Sequence, residues 1–159
     1  MSDSPSPTPS EAIAEEAPAL DRKGLRALAA MSTGVCMFMG SPEPSWWWLG
    51  FVGWLPWLWA IDGVRPKHAF FLGWLSGLTA ITVGFFWMTE LLTRFAGLPW
   101  PITAPIHLLF AAYHGLAWAF PALVIAWLAK RGVKRTLWSA PLSWSATEFL
   151  MPNIFPTFM

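Results

Sequence analysis

The sequence predicts an all-α protein, a polytopic transmembrane helix bundle with about five spans, and three observations predict it. Hydrophobic residues make up 55% of the 159-residue chain and charged residues only 12%, whereas about 25% charged residues is usual for a soluble domain. The apolar residues form runs that short polar breaks separate. Lys and Arg concentrate in alternate breaks, a pattern typical of loops on the cytoplasmic side of a membrane.

The first 23 residues differ in composition from the rest of the chain. Residues 2–18 consist mainly of Ser, Pro, Ala and Glu, and a segment with so few large apolar side chains cannot offset the entropy that ordering costs. We therefore expect a disordered cytoplasmic tail over residues 1–23 and a transmembrane helical domain over residues 24–159. A cleaved signal peptide with a long leader is the alternative, but Pro42 and Pro44 crowd its cleavage region and further apolar runs follow at once.

The apolar runs place the candidate spans at residues 25–40, 46–61, 66–93, 102–129 and 136–151. A helix needs about 20 residues to cross a bilayer. The first and last runs are shorter than this and fit tilted or partly buried helices, whereas the third is long enough to cross at a tilt.

Small residues recur at helical spacing on the third and fourth runs. They are Ala69, Gly73, Gly77 and Gly84 on the third run, and Ala111, Gly115 and Ala119 on the fourth. Small side chains at this spacing let two helix backbones approach closely in lipid, so they predict direct contact between these two runs. The alternative is that membrane helices are rich in small residues in general.

The distribution of Lys and Arg predicts the orientation. If the five runs cross the membrane in alternation, nine of the ten basic residues fall on the side of the tail and only Arg94 falls on the other. Because basic loops stay in the cytoplasm, we expect a multi-pass protein of the bacterial inner membrane, with its amino terminus in the cytoplasm and its carboxyl terminus in the periplasm.

The tryptophans support the same orientation. Indole rings prefer the two membrane interfaces, where the ring is apolar and its N–H stays hydrated. Four fall at the predicted outer boundary and four at the inner one: Trp46, Trp47, Trp48 and Trp100 outside, and Trp57, Trp59, Trp127 and Trp138 inside.

Several function classes are excluded by what the chain lacks in sequence. It has no basic run interleaved with aromatic residues, so we expect no nucleic-acid partner. Cys36 is the only cysteine, which excludes internal disulfides and cysteine-rich metal sites. There is also no Gly-rich phosphate loop, no HExxH and no GxSxG motif. We therefore predict no cofactor, no metal site and no catalytic residue in these 159 residues.

Ionisable residues within spans are costly and therefore mark candidate sites. Glu90, His107 and Glu148 lie at a similar depth in the predicted outer leaflet, where they predict a polar cluster that faces a lipid headgroup or a partner. The alternative is structural: Glu90 and Arg94 are spaced to pair on one helix, and interior histidines are commonly hydrogen-bonded. His114 lies seven residues beyond His107, about 10 Å along a helix, which is too far for the two to hold one metal ion.

Cys36 lies within the first apolar run and has no ionisable residue one turn away. A nucleophilic thiolate needs a base or a positive field to lower the pKa of its thiol. We therefore predict an inert, buried thiol.

Six ordered segments resemble a known family. They are WLGFVGWLPWLWAI at 48–61, RPKHAFFLGWLSG at 65–77, GFFW at 84–87, AGLP at 96–99, YHGLAWAF at 113–120 and WSATEFL at 144–150, the last followed by Phe155-Pro156. In this order and spacing they resemble the amino-terminal membrane region of bacterial apolipoprotein N-acyltransferases. The resemblance covers roughly residues 25–159.

The resemblance implies an activity and its partners. Members of that family transfer an acyl chain from a membrane phospholipid to the amino terminus of a diacylglyceryl lipoprotein. Their chemistry resides in a periplasmic nitrilase-like domain with a Glu–Lys–Cys triad, in which the thiolate takes the acyl group, Glu acts as the base and Lys stabilises the oxyanion. These three residues have no counterpart among residues 1–159, so the resemblance does not make Cys36 the nucleophile.

The residues that carry over are few. Glu148 matches the family's Glu in the helix before a Phe-Pro turn, and Phe155 and Pro156 match the turn itself, which makes them candidate lipid or substrate contacts. The family usually continues with Trp, whereas Thr157 follows here. The end of the chain soon after this motif leads us to expect a truncated or split enzyme that is inactive alone. A stand-alone membrane scaffold or lipid-binding subunit without enzymatic activity is the alternative, and a piece of a transporter is a third interpretation that lacks an inverted repeat.

Overall fold

The computed structural model describes residues 19–40, 46–133 and 139–154, and within these ranges every regular element is a helix. The helices are α1 (Ala19–Met39), α2 (Leu49–Val52), α3 (Trp54–Ala60), α4 (Pro66–Gly84), α5 (Trp87–Phe95), α6 (Trp100–His114), α7 (Leu116–Lys130) and α8 (Ser139–Ile154). The predicted all-α class is therefore confirmed. Most of the predicted tail lies outside the described residues, and α1 begins at Ala19, ahead of the predicted domain boundary.

Helices overlap each of the five predicted runs, but three of the runs are interrupted. Gly53 separates α2 from α3, and Gly115 marks the junction of α6 with α7. The run 66–93 is not a single straight helix, because α4 and α5 meet at an angle of 51°. Gly84 precedes the bend, and Phe85 adopts φ −107° and ψ 20°, outside the helical region.

Length and composition single out one helical stretch that could cross a membrane by itself within the described residues. Trp100–Lys130, which comprises α6 and α7, is 31 residues long and carries few charges. Its length of about 46 Å exceeds the roughly 30 Å hydrocarbon core of a bilayer. The bent pair α4 and α5 meets the same criteria when it is taken as one span, whereas the apolar helical segment Leu49–Ala60 is shorter.

Helix α4 lies at the centre of the described bundle, between α1 and α7. A Cβ atom built on Gly73 would lie 2.6 Å from the carbonyl oxygen of Trp118, and one built on Gly77 would lie 2.8 Å from the Cα of Gly115. Both distances are too short for a side chain. The predicted contact of small residues between the third and fourth runs is therefore confirmed at Gly73, Gly77 and Gly115.

Gly84, the last residue of the same predicted stripe, does not take part in this contact. The nearest atom to a Cβ built there belongs to Phe38 and lies 4.0 Å away. The stripe is therefore shorter than its sequence spacing indicates, because the bundle opens where α4 ends.

The opposite face of α4 packs against α1. A Cβ atom on Gly34 would lie 2.6 Å from the backbone nitrogen of Ala80, and the Ser76 hydroxyl donates a 2.7 Å hydrogen bond to the carbonyl oxygen of Ala30. Both Ser76 and Ala30 are fully buried. Sequence analysis did not identify this second close contact.

The hydrophobic core lies where α1, α3, α4 and α7 meet. It contains Ala30, Trp57, Ala60, Ile61, Ala69, Leu72, Ala122, Ile125 and Ala126. Trp57 is only 2% exposed, so its indole packs inside the bundle, and its predicted depth at the inner boundary stays a prediction. Its indole fills the space between helices whose other core residues are mostly Ala.

Candidate functional site

His107 lies next to the bend between α4 and α5 and contacts the end of α4. The carbonyl of Thr82 belongs to the last turn of α4, where carbonyl groups lose their donors within the helix. His107 on α6 places Nε2 3.1 Å from this oxygen and is 5% exposed. The imidazole therefore satisfies a carbonyl that the end of α4 would otherwise leave unpaired, and it joins α6 to α4.

This hydrogen bond requires a proton on Nε2 of His107. A carbonyl oxygen only accepts, so Nε2 must carry a proton and donate it to Thr82. Nδ1 is buried and has no hydrogen-bond partner among the described residues. A buried polar atom next to the bend is thus left without a partner, an environment that suits an ordered water or a polar group of a ligand.

Aromatic rings hold the bend against α6. The ring of Phe85 lies 5.8 Å from that of Phe110, and the ring of Phe110 lies 4.2 Å from that of His114. Tyr113 meets His114 edge to face at 5.4 Å. His114 is therefore packed among aromatic rings and not directed towards His107.

Glu90 lies on α5, beyond the bend. Its carboxylate forms an ion pair with Arg94 one turn later, and the two side chains are 58% and 73% exposed. The ion pair between Glu90 and Arg94, which was the structural alternative in the sequence analysis, is thus present. An exposed pair of this type contributes about 0.3–0.5 kcal/mol to stability, so it does little to hold the helix.

Glu148 is exposed on α8, which packs against α7. Phe155 and Pro156 lie outside the described residues. The structure shows no hydrogen bond or ion pair that joins Glu90, His107 or Glu148 to one another within the parts it describes. It brings His107 to α4 and Glu90 to Arg94, and the proposed role of these residues in lipid contact stays a prediction.

Cys36 is half-buried on α1 and packs against the segment between α2 and α3. A Cβ atom built on Gly53 would lie 2.8 Å from the Cβ of Cys36, so the thiol adjoins helix backbone. Within the described ranges, no group of three or more His, Cys, Asp or Glu residues is arranged to hold a metal ion.

A cluster of four tryptophans forms a second feature, which sequence analysis missed. Trp54 stacks on Trp118 with ring centroids 5.1 Å apart and an angle of 11°, and Trp144 meets Trp54 edge to face at 4.7 Å. Trp57 completes the cluster at 5.7 Å from Trp54. The cluster ties α3 to α7 and α8. Their contact could not be predicted from the sequence, because the four tryptophans belong to three segments that are far apart along the chain.

An apolar cavity of about 310 Å³ opens beside this cluster, between α3 and α8. Trp54, Trp57, Leu58, Ala140, Pro141, Trp144 and Ser145 line it. Such a lining accepts hydrocarbon and offers little to a charged group. Neither this cavity nor the surroundings of His107 brings together a nucleophile, a base and an oxyanion donor.

Comparison with known proteins identifies the family. Residues 33–158 match the family model of the apolipoprotein N-acyltransferase N-terminal domain. The chain is 32% identical over 125 residues to an apolipoprotein N-acyltransferase of Geobacter metallireducens, a match that covers 77% of this chain and 23% of that protein.

Proteins of the same name from Shewanella oneidensis and Chromobacterium violaceum are also similar. They are 33% identical over 96 residues and 41% identical over 91 residues, which covers 58% and 54% of this chain. The chain spans about a fifth of the length of these curated relatives, since the matches cover 18% and 17% of them. The extent of the family match nevertheless establishes that this chain belongs to the apolipoprotein N-acyltransferase N-terminal domain family.

Proposed function

We propose that residues 24–159 form the membrane-embedded amino-terminal part of an apolipoprotein N-acyltransferase. The reaction is transfer of an acyl chain from a phospholipid to the amino terminus of a diacylglyceryl lipoprotein. The family match over residues 33–158 is the observation that supports this proposal. Its partners are membrane phospholipids, a nitrilase-like catalytic domain and the lipoprotein substrate.

The proposed topology is a five-span bundle in the bacterial inner membrane, with a cytoplasmic amino terminus and a periplasmic carboxyl terminus. The apolar stretch Trp100–Lys130 and the bent pair α4 and α5 support two of these spans. The basic residues support the orientation, because all but Arg94 fall on the side of the tail.

Reporter fusions test this topology. Gly63 and Gly132 lie in turns with positive φ, and Leu98 follows another such turn at Gly97, so fusions there interrupt loops and not helices. We expect cytoplasmic reporter activity at Gly63 and Gly132, and periplasmic activity at Leu98 and Met159. Cytoplasmic activity at Leu98 or Met159 would contradict the five-span topology.

A chimera tests the enzymatic role. The matched region of the Geobacter metallireducens enzyme is replaced by residues 33–158 of this chain, and acyl transfer from a phospholipid to a diacylglyceryl peptide is measured. We expect activity above that of a chimera carrying Gly77→Leu, which disturbs the contact of α4 with α7. A chimera that inserts and folds but transfers no acyl group would favour the interpretation as a scaffold or lipid-binding subunit.

Residues 1–159 by themselves are proposed to be inactive. Acyl transfer needs an activated nucleophile, a base and an oxyanion stabiliser held together, and Cys36 instead packs against the backbone at Gly53. Incubated with phospholipid, the purified chain should form no acyl thioester at Cys36 by mass spectrometry. An acyl adduct that is present in the wild type and absent in Cys36→Ser would overturn this part of the proposal.

A further inference from the structure

A cleft of about 260 Å³ lies between α1, the loop after α3 and α4. The polar side chains among the described residues that line it are Lys23 and Arg26 on α1, and His68 on α4. This described part of the lining contains no Asp or Glu. It therefore offers hydrogen-bond donors and positive charge to an anion.

Arg26 is held in place by its surroundings. Its Nη1 donates to the carbonyl oxygen of Asp62 at 2.7 Å and lies 3.4 Å from that of Ala60. The guanidinium also lies 5.9 Å from the ring centroid of Trp59, within the range of a cation–π contact. A guanidinium has five N–H donors, so one nitrogen can anchor the side chain to the loop while others remain to bind an anion.

The rest of the lining is apolar. Ala27, Val64, Phe71 and Leu72 form it, and Phe71 is 55% exposed although it belongs to the central helix. Basic and apolar side chains in one cleft match the two chemically different parts of a phospholipid, the phosphate and the first segment of an acyl chain. A free phosphate would use the basic side chains alone and leave the apolar lining uncovered.

We propose that this cleft binds the headgroup phosphate of an anionic phospholipid, with Lys23, Arg26 and His68 as donors and Phe71 against the acyl chain. The proposal rests on the proposed membrane insertion of the chain. By the orientation given above, the lipid belongs to the cytoplasmic leaflet, where anionic headgroups attract basic residues. Its binding would join α1 to α4 at the end of the bundle where the core lies.

The test uses the full chain in neutral detergent, with bound lipid counted by native mass spectrometry. Phosphatidylglycerol is titrated against phosphatidylcholine, and glycerol phosphate serves as the probe without acyl chains. We expect one phosphatidylglycerol to bind in preference to phosphatidylcholine, and glycerol phosphate to bind far more weakly. Equal binding of the two lipids, or binding of glycerol phosphate as tight as that of phosphatidylglycerol, would overturn the proposal.

Variants locate the site. Lys23→Gln combined with His68→Gln should weaken phosphatidylglycerol binding by roughly tenfold, since hydrogen bonds to charged groups are lost. The matched control is Lys130→Gln, an exposed cation at the end of α7 that does not line the cleft. Arg26 is left intact because it also holds the loop at Asp62. Equal losses in the pair and in the control would place the lipid elsewhere and overturn the assignment.

A second variant alters the apolar lining of the cleft without changing its charge. Ala27→Phe places a ring in the cleft and should reduce binding of phosphatidylglycerol while the helical content stays unchanged. Unchanged binding would contradict the assignment. Reconstitution into lipid nanodiscs separates the two proposals: failure to incorporate would overturn both, whereas incorporation without a preference for phosphatidylglycerol would overturn only the lipid site.

Discussion

The middle of α4 and its last turn are held by different interactions. In the middle, Gly73 and Gly77 bring the backbone of α4 against α7, and Ser76 bonds to α1 on the other side. In the last turn, a Cβ atom built on Gly84 would have its nearest neighbour 4.0 Å away, and His107 supplies a hydrogen bond to the carbonyl of Thr82. Close backbone packing therefore gives way to side-chain capping where the helix ends. The middle forms the fixed part of the bundle, and the last turn leads into its bend.

The largest effect is expected from a large side chain in the close-packed middle of α4. Gly77→Leu should destabilise the chain by about 3 kcal/mol or more, because overpacking displaces backbone and not flexible side chains. Gly84→Leu is the matched control on the same helix, where the nearest atom is 4.0 Å from the new Cβ. Thermal unfolding in detergent measures both. Equal losses of stability would show that the middle of α4 and its last turn do not differ in packing.

Loss of the hydrogen bond at the bend should have an intermediate effect. His107→Leu leaves the partly buried carbonyl of Thr82 without its donor, at a cost of about 1–3 kcal/mol. His107→Gln can return an N–H to the same oxygen and should recover part of the loss. The readout is thermal unfolding together with the accessibility of a cysteine placed at Phe86. If the Leu and Gln variants are equally stable, the hydrogen bond does not hold the bend.

The contact of α4 with α1 should contribute less. Ser76→Ala removes a hydrogen bond between helices, and such bonds contribute about 0.6 kcal/mol on average in membranes. Thr79→Val is the control, because the hydroxyl of Thr79 bonds to Leu75 within α4. Chemical unfolding in mixed micelles resolves a difference of this size. A greater loss for Thr79→Val would assign the stability to the helix itself and not to its contact with α1.

The smallest effect, with the opposite sign, is expected at the end of α4. Gly84→Ala should stabilise the chain by roughly 0.5 kcal/mol, because Ala loses less backbone entropy than Gly in a helix and its methyl group meets its nearest neighbour at an ordinary contact distance of 4.0 Å. The same thermal measurement detects the sign. Destabilisation would show that the bend requires a glycine.

Within the candidate site, the sequence predicted only the interaction between residues that are close together along the chain. The spacing of Glu90 and Arg94 on one helix predicted their pairing, and the structure shows it. The partner of His107 could not be predicted, since Thr82 is 25 residues away and its carbonyl is unpaired only because α4 ends there. The cluster at Trp54 escaped sequence analysis for the same reason: each ring packs against partners on other helices.

Composition and the 3.6-residue period of a helix determined the all-α class and the glycines that meet between α4 and α7, because neighbouring residues express both without tertiary contacts. The family was identified from ordered motifs that resemble its amino-terminal membrane region, and the match over residues 33–158 confirmed it. Only the tertiary structure decided which glycines of the stripe contact another helix and which tryptophans are buried. Gly77 and Gly84 share one stripe, yet only Gly77 touches α7. Trp57 and Trp59 are two residues apart, yet one is 2% and the other 50% exposed, because successive positions on a helix point 100° apart and neighbouring helices cover only some of them.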